Sequence, residues 1–275
     1  MKRLKKALQA VLQVAKNPWL LNKVLDHDHF WKSKVEKKHQ ISSGLPVVEI
    51  TDLLLDSDGK VEPYAFLEGG SLVTDLWLLR GLAKKSNVKA YLEIGTWRGE
   101  SVANVAPLVH EAFTIYLSDE EMLKMGLDKN YVASHGFFSK DLPSVTHVQA
   151  NSRNFDFLSL NKTFDLVFID GAHDYDSVLC DTKSILQVID LQKSIVVWHD
   201  YARNPEKVRW EVLAAILDGM PRGLHQHLYH VSNTLCAIYQ PDLKDQGLAT
   251  VPLQSFATPT KYFEVSIRYR PTKNN

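Results

Sequence analysis

The feature that most constrains this 275-residue chain is an alternation of short apolar runs with helix-like stretches between residues 71 and 240. The runs are β-compatible, and most of the segments between them are long enough for one helix. They read KAYLEIG, FTIYLS, VTHVQA, FDLVFID and SIVVWHD. Strands joined through helices run parallel, so the alternation predicts an α/β fold, a doubly wound sheet with helices on both faces.

The alternation ends differently from the way it begins. LHQHLYHVSNTLCAIYQ contains two strand-like runs around the tight turn SNT, with no helix between them. A hairpin joins antiparallel strands, so the last strand is expected to enter the sheet antiparallel to the others. The sequence therefore predicts a seven-stranded, mostly parallel, Rossmann-like sheet.

The alternation of strand-like and helix-like segments divides the chain into three regions. We expect residues 71–240 to form the main domain and residues 1–70 to form a helical or irregular extension that covers the site or makes a subunit contact. Residues 241–275 form a C-terminal addition, in which the alternating stretch YFEVSIRYR is a candidate edge strand. The opening MKRLKKALQAVLQVAK predicts a basic amphipathic helix, a type that more often packs on its own domain or a partner subunit than on a lipid surface.

The first strand of the main domain runs into a glycine loop. The segment YLEIGTWRGES predicts a strand, a tight turn and a helix, with Gly95 and Gly99 in the turn and Glu93 two residues before them. In doubly wound sheets, ligands bind at such turns, beyond the carboxyl ends of the strands. The GxGxxG pattern of dinucleotide-binding proteins is absent here, which disfavours an NAD-dependent oxidoreductase.

The glycine loop resembles the first motif of class I S-adenosylmethionine-dependent methyltransferases. Together, LEIGTWRGES, FIDGAHDY and VVWHDY resemble the subgroup that includes macrolide and coumarin sugar O-methyltransferases and, more distantly, catechol O-methyltransferase. The resemblance implies S-adenosyl-L-methionine as cofactor, with Asp119 (or Glu120) accepting the ribose hydroxyls and Asn151 and Ser152 near the adenine. The implied cofactor-binding residues are Glu93, Gly95, Thr96, Gly99, Ser101, Asp119, Asn151, Ser152 and Asp170.

Acidic residues and histidines follow two of the buried strands. FDLVFID ends at Asp170, and SIVVWHD ends at His199 and Asp200. These ends are expected at one edge of a parallel sheet, where neighbouring carboxylates repel unless one is protonated or a cation lies between them. The resemblance implies a divalent metal at Asp170, His199 and Asp200. The metal-dependent relatives carry a carboxylate at the position of His199, and imidazole suits Mn²⁺ better than Mg²⁺.

His173 and Asp170 are the candidate catalytic residues. Methyl transfer to a hydroxyl needs the hydroxyl proton removed, either by a metal that lowers its pKa or by a general base. Histidine ordinarily titrates near neutrality, and His173 occupies the position of the catalytic lysine of catechol O-methyltransferase. His173 could instead ligate the metal or orient Asp170. The expected reaction is O-methylation of a small polar acceptor, such as a sugar; a metal-independent enzyme and a non-catalytic binding subunit are the alternatives.

Charge and cysteine content add further expectations. Formal net charge is zero, although residues 1–40 carry ten basic against three acidic residues, so nucleic acid is not an expected partner. No run reaches the roughly 20 apolar residues that would span a bilayer. Cys180 and Cys236 lie in apolar segments and are expected to be reduced core residues, which suits a cytoplasmic protein. The expected partners are a small-molecule acceptor and further copies of the chain in a homo-oligomer.

Overall fold

The predicted seven strands are present as neighbours in a nine-stranded sheet. The structure, a computed structural model, describes residues 2–17, 27–54, 59–85 and 87–271. The strands of the main sheet are β1 (Val47–Val48), β2 (Ala90–Ile94), β3 (Glu111–Tyr116), β4 (Val145–Gln149), β5 (Leu166–Ile169), β6 (Ile195–Trp198), β9 (Leu228–Val231), β10 (Ala237–Tyr239) and β11 (Thr250–Val251). A separate antiparallel pair consists of β7 (Ala202–Asn204) and β8 (Lys207–Val208).

The strand order is β11-β1-β9-β10-β6-β5-β2-β3-β4. Strands β2 to β6 pair in parallel, whereas β10 runs antiparallel to both β6 and β9, which confirms the doubly wound sheet with an antiparallel last strand. The two additional strands extend the β9 edge. Each has only two residues, too few to show the period-two pattern from which the other strands could be predicted.

Helices cover both faces of the sheet. The α-helices of the described residues are α1 (Lys2–Lys16), α2 (His27–His39), α3 (Ile50–Leu53), α4 (Val73–Ala83), α5 (Glu100–Val105), α6 (Asp119–Lys124), α7 (Lys129–Ala133), α8 (Tyr175–Ile185) and α9 (Trp210–Gly219). Short 3₁₀ turns lie at Ala106–Leu108, Phe157–Leu160 and Arg222–His227. One hydrophobic core joins α2, α8 and α9 to the sheet, and a second core joins α4 and α5 to its opposite face.

Helix α2 docks tightly on the main domain. Its Trp31 stacks on Tyr175 with ring centroids 4.6 Å apart, and its Val35 is fully buried. The carboxylate of Asp218 in α9 accepts hydrogen bonds from His39 Nε2 and from the Tyr175 hydroxyl, both at 2.7 Å. This network anchors α2 beside the loop that begins α8.

The C-terminal region differs from the sequence prediction in one respect. The edge strand lies at β11, where it pairs antiparallel with β1, whereas YFEVSIRYR has no regular secondary structure over residues 262–270. The expectation of two core cysteines was also wrong in part: Cys236 is buried, but Cys180 is only half-buried. In the described part of the chain, no helix combines the length and the apolarity needed to cross a membrane.

Candidate active site

The site lies where β2, β5 and β6 end side by side. Ile94 pairs with Ile169, and Ile169 pairs in turn with Trp198. The next residues along the three strands therefore meet at one edge of the sheet: Gly95 after β2, Asp170 after β5, and His199 and Asp200 after β6. All three strands are buried along their whole length, so their positions are set by the core.

The backbone of the glycine loop requires both of its glycines. Gly95 has φ of +96°, and a Cβ there would lie 2.1 Å from the carbonyl oxygen of Asp170. Gly99 has φ of +77° and begins α5, and a Cβ there would lie 2.2 Å from Ser139 Oγ. Glycine is thus needed for left-handed backbone and also for close approach to the β5 loop. Trp97, between them, takes a left-handed φ of +36° despite its side chain.

A cavity of about 540 Å³ opens beside this loop. Five of the predicted cofactor residues form part of its wall: Gly95, Thr96, Asn151, Ser152 and Asp170. His173 also lines it. The far wall is largely apolar and aromatic, formed by Tyr116, Leu117, Met122, Met125, Leu127, Tyr131 and His135. Volume and composition are those of an ordinary small-molecule site.

Four of the predicted cofactor residues lie elsewhere. Gly99 and Ser101 line a smaller recess of about 30 Å³, which shares Thr96, Trp97 and Asp170 with the main cavity. Asp119 is exposed at the start of α6 and does not line the cavity. Ser118 rather than Asp119 caps that helix, in a capping box with Glu121.

Glu93 lies beneath the loop and is fully buried. Its carboxyl group accepts a hydrogen bond from the Tyr91 hydroxyl at 2.7 Å and one from Thr114 Oγ1 at 3.3 Å. Burial outweighs these bonds and raises the pKa of Glu93 from 4.5 to about 8. Its contacts tie β2 to β3, so in this structure Glu93 supports the loop from below.

This buried acid predicts a pH-dependent stability. Between about pH 4.5 and pH 8 the native state holds a proton on Glu93 that the unfolded chain has lost. The free energy of unfolding should therefore fall as pH rises across that window, by up to roughly 1.4 kcal/mol per pH unit from this group. In Glu93→Gln that contribution should be missing. Urea denaturation from pH 5 to pH 8 measures both slopes, with Glu111→Gln as control; identical slopes in the wild type and Glu93→Gln would contradict the prediction.

His173 forms a dyad with Asp200. His173 Nδ1 lies 3.1 Å from Asp200 Oδ2, and the His173 side chain is 52% exposed at the cavity wall. The other oxygen of Asp200 pairs with Arg209 at 3.0 Å. Burial alone would raise the pKa of Asp200, but its close contact with His199 and the charge of His199, with further charges nearby, lower it to about 2. Asp200 is therefore an ionised carboxylate that holds one ring nitrogen of His173.

His199 is buried between two carboxylates on opposite sides of its ring. Its Nδ1 lies 3.0 Å from Asp170 Oδ1, and its Nε2 lies 3.0 Å from Asp75 Oδ2. Burial alone would lower the pKa of His199, but the carboxylates of Asp170, Asp200 and Asp75 outweigh it and raise the pKa well above its usual range. Burial likewise raises the pKa of Asp170, an effect that His199 partly offsets.

Asp75 is a site residue that the sequence motifs did not identify. It is fully buried in α4, where its two oxygens accept hydrogen bonds from the backbone N–H groups of Leu72 and Leu235 at 2.7 and 2.8 Å. These bonds hold the carboxylate against His199 Nε2, and so orient the ring. One signal was available: Asp75 interrupts the apolar stripe of its helix, three residues after Leu72.

Asp181 is a second residue of the site that the sequence motifs did not identify. Its side chain lines the cavity although Asp181 is almost fully buried, and its Oδ1 has no hydrogen-bond partner among the described residues. Burial raises the pKa of Asp181 to about 6, although a hydrogen bond with Ser152 opposes the shift. Ser152 and Asp181 therefore place an acceptor-rich patch in the wall near Asn151.

The predicted metal ligands meet in space. One ligand atom from each of Asp170, His199 and Asp200 lies within 4.8 Å of the others. His199 Nδ1 is buried and, despite its closeness to Asp170, has no hydrogen bond of regular geometry among the described residues. The group thus fits a divalent cation. A second cluster, Asp75 with His199 and Cys236, fits one poorly because backbone N–H groups already occupy the Asp75 oxygens.

A comparison with protein families shows which domain contains this site. Residues 92–201 match the family described as "Methyltransferase domain", a stretch that runs from β2 through the glycine loop to the residue after Asp200. This stretch is a methyltransferase domain. The parallel sheet with an antiparallel last strand is the fold expected from the resemblance to class I, S-adenosylmethionine-dependent methyltransferases. Asp75 and Arg209, which contact the site, lie outside the matched stretch.

Several solved methyltransferase structures are similar to this one in fold. CalS11, a TDP-rhamnose 3'-O-methyltransferase of calicheamicin biosynthesis, shares 16% identity at a TM-score of 0.42, covering 61% of this chain and 79% of its own. PaMTH1 from Podospora anserina shares 20% identity at 0.44, covering 62% and 80%. An O-methyltransferase from Bacillus cereus shares 14% identity at 0.44, covering 62% and 82%. No curated protein matches the chain.

Proposed function

We propose that the enzyme transfers the methyl group of S-adenosylmethionine to a hydroxyl of a small polar acceptor, with His173 as general base. The observation that carries this proposal is the His173–Asp200 dyad. Nδ1 of His173 lies 3.1 Å from the Asp200 carboxylate, and the half-exposed ring is part of the cavity wall. With its Nδ1–H donated to Asp200, the ring keeps Nε2 as a proton acceptor.

The reaction needs one proton acceptor and a fixed geometry. In the proposed step the hydroxyl oxygen attacks the methyl carbon, the C–S bond breaks, and the sulfonium becomes the thioether of S-adenosylhomocysteine. The hydroxyl proton passes to Nε2 of His173. A positioned base of this kind typically contributes about 10²–10⁴-fold to the rate.

The two adjoining cavities suggest where each reactant binds. We assign the cofactor to the larger one, where Gly95, Thr96, Asn151 and Ser152 lie along one wall. The acceptor hydroxyl would then lie beside His173, where the larger cavity meets the smaller recess at Asp170. That recess contains Tyr64 and an ion pair between Arg98 and Glu100, with Nη2 and Oε2 3.1 Å apart. Aromatic and paired polar groups suit a hydroxyl-rich acceptor such as a sugar.

Metal-assisted transfer is a second candidate, favoured by the buried Nδ1 of His199 between the carboxylates of Asp170 and Asp200. These three residues would hold the ion, whose chemistry would be to lower the acceptor hydroxyl pKa and orient it. One imidazole with two carboxylates suits Mn²⁺ or Fe²⁺ better than Mg²⁺. Arg209, bound to Asp200, is the feature that opposes this candidate.

Two measurements test the proposal. Isothermal titration should detect binding of S-adenosylmethionine and S-adenosylhomocysteine; absence of both would remove the proposed function. Transfer of isotopically labelled methyl to a panel of sugars and phenols should then identify hydroxyl acceptors, and transfer only to amines or thiols would contradict O-methylation. Turnover that survives EDTA would support the His173 mechanism, whereas loss on chelation with recovery on Mn²⁺ would support the metal-assisted one.

A further inference from the structure

We infer that helix α1 is a binding site for an anionic lipid surface. The helix comprises Lys2–Lys16, and its apolar side chains lie in the solvent: Leu4 is 70% exposed, Val11 68%, and Leu8 and Leu12 58% each. No residue from 4 to 17 is buried. Helix α2 of the same extension behaves in the opposite way, since its Val35 is fully buried against the main domain.

The exposed residues form one continuous face. At 100° per residue, Leu4, Leu8, Val11, Leu12 and Ala15 fall within a single stripe along the helix. Lys5, Lys6 and Lys16 lie on the opposite face or at its border, with Gln9 and Gln13 among them. The helix contains no acidic residue. An apolar face bordered by cations complements a surface that is apolar below and negatively charged at the top, as an anionic bilayer is.

The dimensions favour a helix that lies in the plane of the lipid surface. Fifteen residues span roughly 22 Å, less than the roughly 30 Å of a bilayer core. Lys5 and Lys6 would also have to enter that core. A second copy of this helix is a poorer occupant of the apolar face because about two heptads rarely sustain a coiled coil and the lysines of two copies would repel.

Vesicle sedimentation with the full chain tests the inference. Vesicles of 30% phosphatidylglycerol in phosphatidylcholine should bind the wild type, and pure phosphatidylcholine vesicles should bind it much more weakly. Lys5→Gln with Lys6→Gln keeps helix-favouring residues and the apolar stripe, and should lower the partition coefficient roughly 25-fold. Raising the salt concentration should weaken binding as well.

A matched pair of leucines tests whether vesicle binding depends on the apolar face of α1 or on any exposed apolar side chain. Leu8 and Leu158 are equally exposed, at 58% each, but Leu158 lies in a 3₁₀ turn of the main domain. Leu8→Glu should reduce vesicle binding at least tenfold, and Leu158→Glu should leave it within twofold of wild type. Titration with S-adenosylhomocysteine, unchanged in every variant, would show that the main domain is intact.

Three results would overturn the inference. One is equal binding to neutral and anionic vesicles, or binding to neither. Another is vesicle binding that Leu8→Glu leaves unchanged. The third is a wild type that is oligomeric by light scattering without lipid while Leu8→Glu is not, which would assign the face to a second copy of the chain. None of these outcomes involves the catalytic residues, so the test of lipid binding is independent of the test of the proposed methyl transfer.

Discussion

His173→Ala is expected to lower kcat about 10²- to 10⁴-fold while changing the affinity for S-adenosylmethionine by less than threefold. The variant removes the proposed proton acceptor but leaves Asp200 bound to Arg209, so the wall of the site should persist. Steady-state methyl transfer and cofactor titration on the same preparations measure the two quantities. A fall in affinity without a fall in kcat would place His173 in binding rather than in proton transfer.

A second histidine of the same cavity provides the control for this variant. His135 is half-buried in the far wall, where its ring packs against Tyr116 and Tyr131. His135→Ala should leave kcat within about threefold of wild type. The loss in His173→Ala should also shrink for acceptors with more acidic hydroxyls, such as phenols, because these need less help from a base. An equal loss for a phenol and a sugar would contradict general-base catalysis.

Gly95→Ala is expected to destabilise the fold by about 3 kcal/mol or more and to abolish cofactor binding. A Cβ at this position would lie 2.1 Å from the carbonyl oxygen and 2.5 Å from the carbonyl carbon of Asp170, and both belong to backbone that β5 holds in place. The loop must then move away from the β5 end, which takes Thr96 and Asp170 out of register. Urea denaturation and titration with S-adenosylhomocysteine measure the two effects.

A substitution at Gly126 separates the energetic cost of the steric clash from the cost of a left-handed backbone conformation. It has φ of +82°, close to the +96° of Gly95, but a Cβ there would meet nothing within 4 Å. Gly126→Ala should therefore cost only the roughly 1–2 kcal/mol of a left-handed alanine. The difference between the two variants in the free energy of unfolding gives the contribution of the close approach between the glycine loop and the β5 loop. Equal costs would mean that this approach is unimportant for the fold.

Several features of the site could be predicted because they depend on short-range pattern. Strands β5 and β6 are continuous apolar runs that end in distinctive residues, and the loop after β2 is marked by its two glycines. Parallel pairing follows from the helices between them, and it brings the strand ends to one edge. The proximity of Asp170 to His199 and Asp200 was therefore foreseeable, whereas their roles remain predictions.

Other features depend on pairs that are distant in sequence. His199 and Asp75 are 124 positions apart, and no motif links them. Asp119 matched the family position by its distance from Gly99, but Ser118 takes the cap, and the helix that follows keeps Asp119 in solvent. The strands β1 and β11 form only because their partners provide an edge, since two residues have no preference of their own.

By itself, the sequence determined the doubly wound sheet, the glycine loop and the set of titratable groups at the strand ends, because apolar periodicity and turn chemistry are local. The tertiary structure alone decided how those groups pair. It placed His173 on Asp200, His199 between Asp170 and Asp75, and left the apolar face of α1 in solvent. Such pairings depend on side-chain directions and burial, which no single stretch of sequence contains.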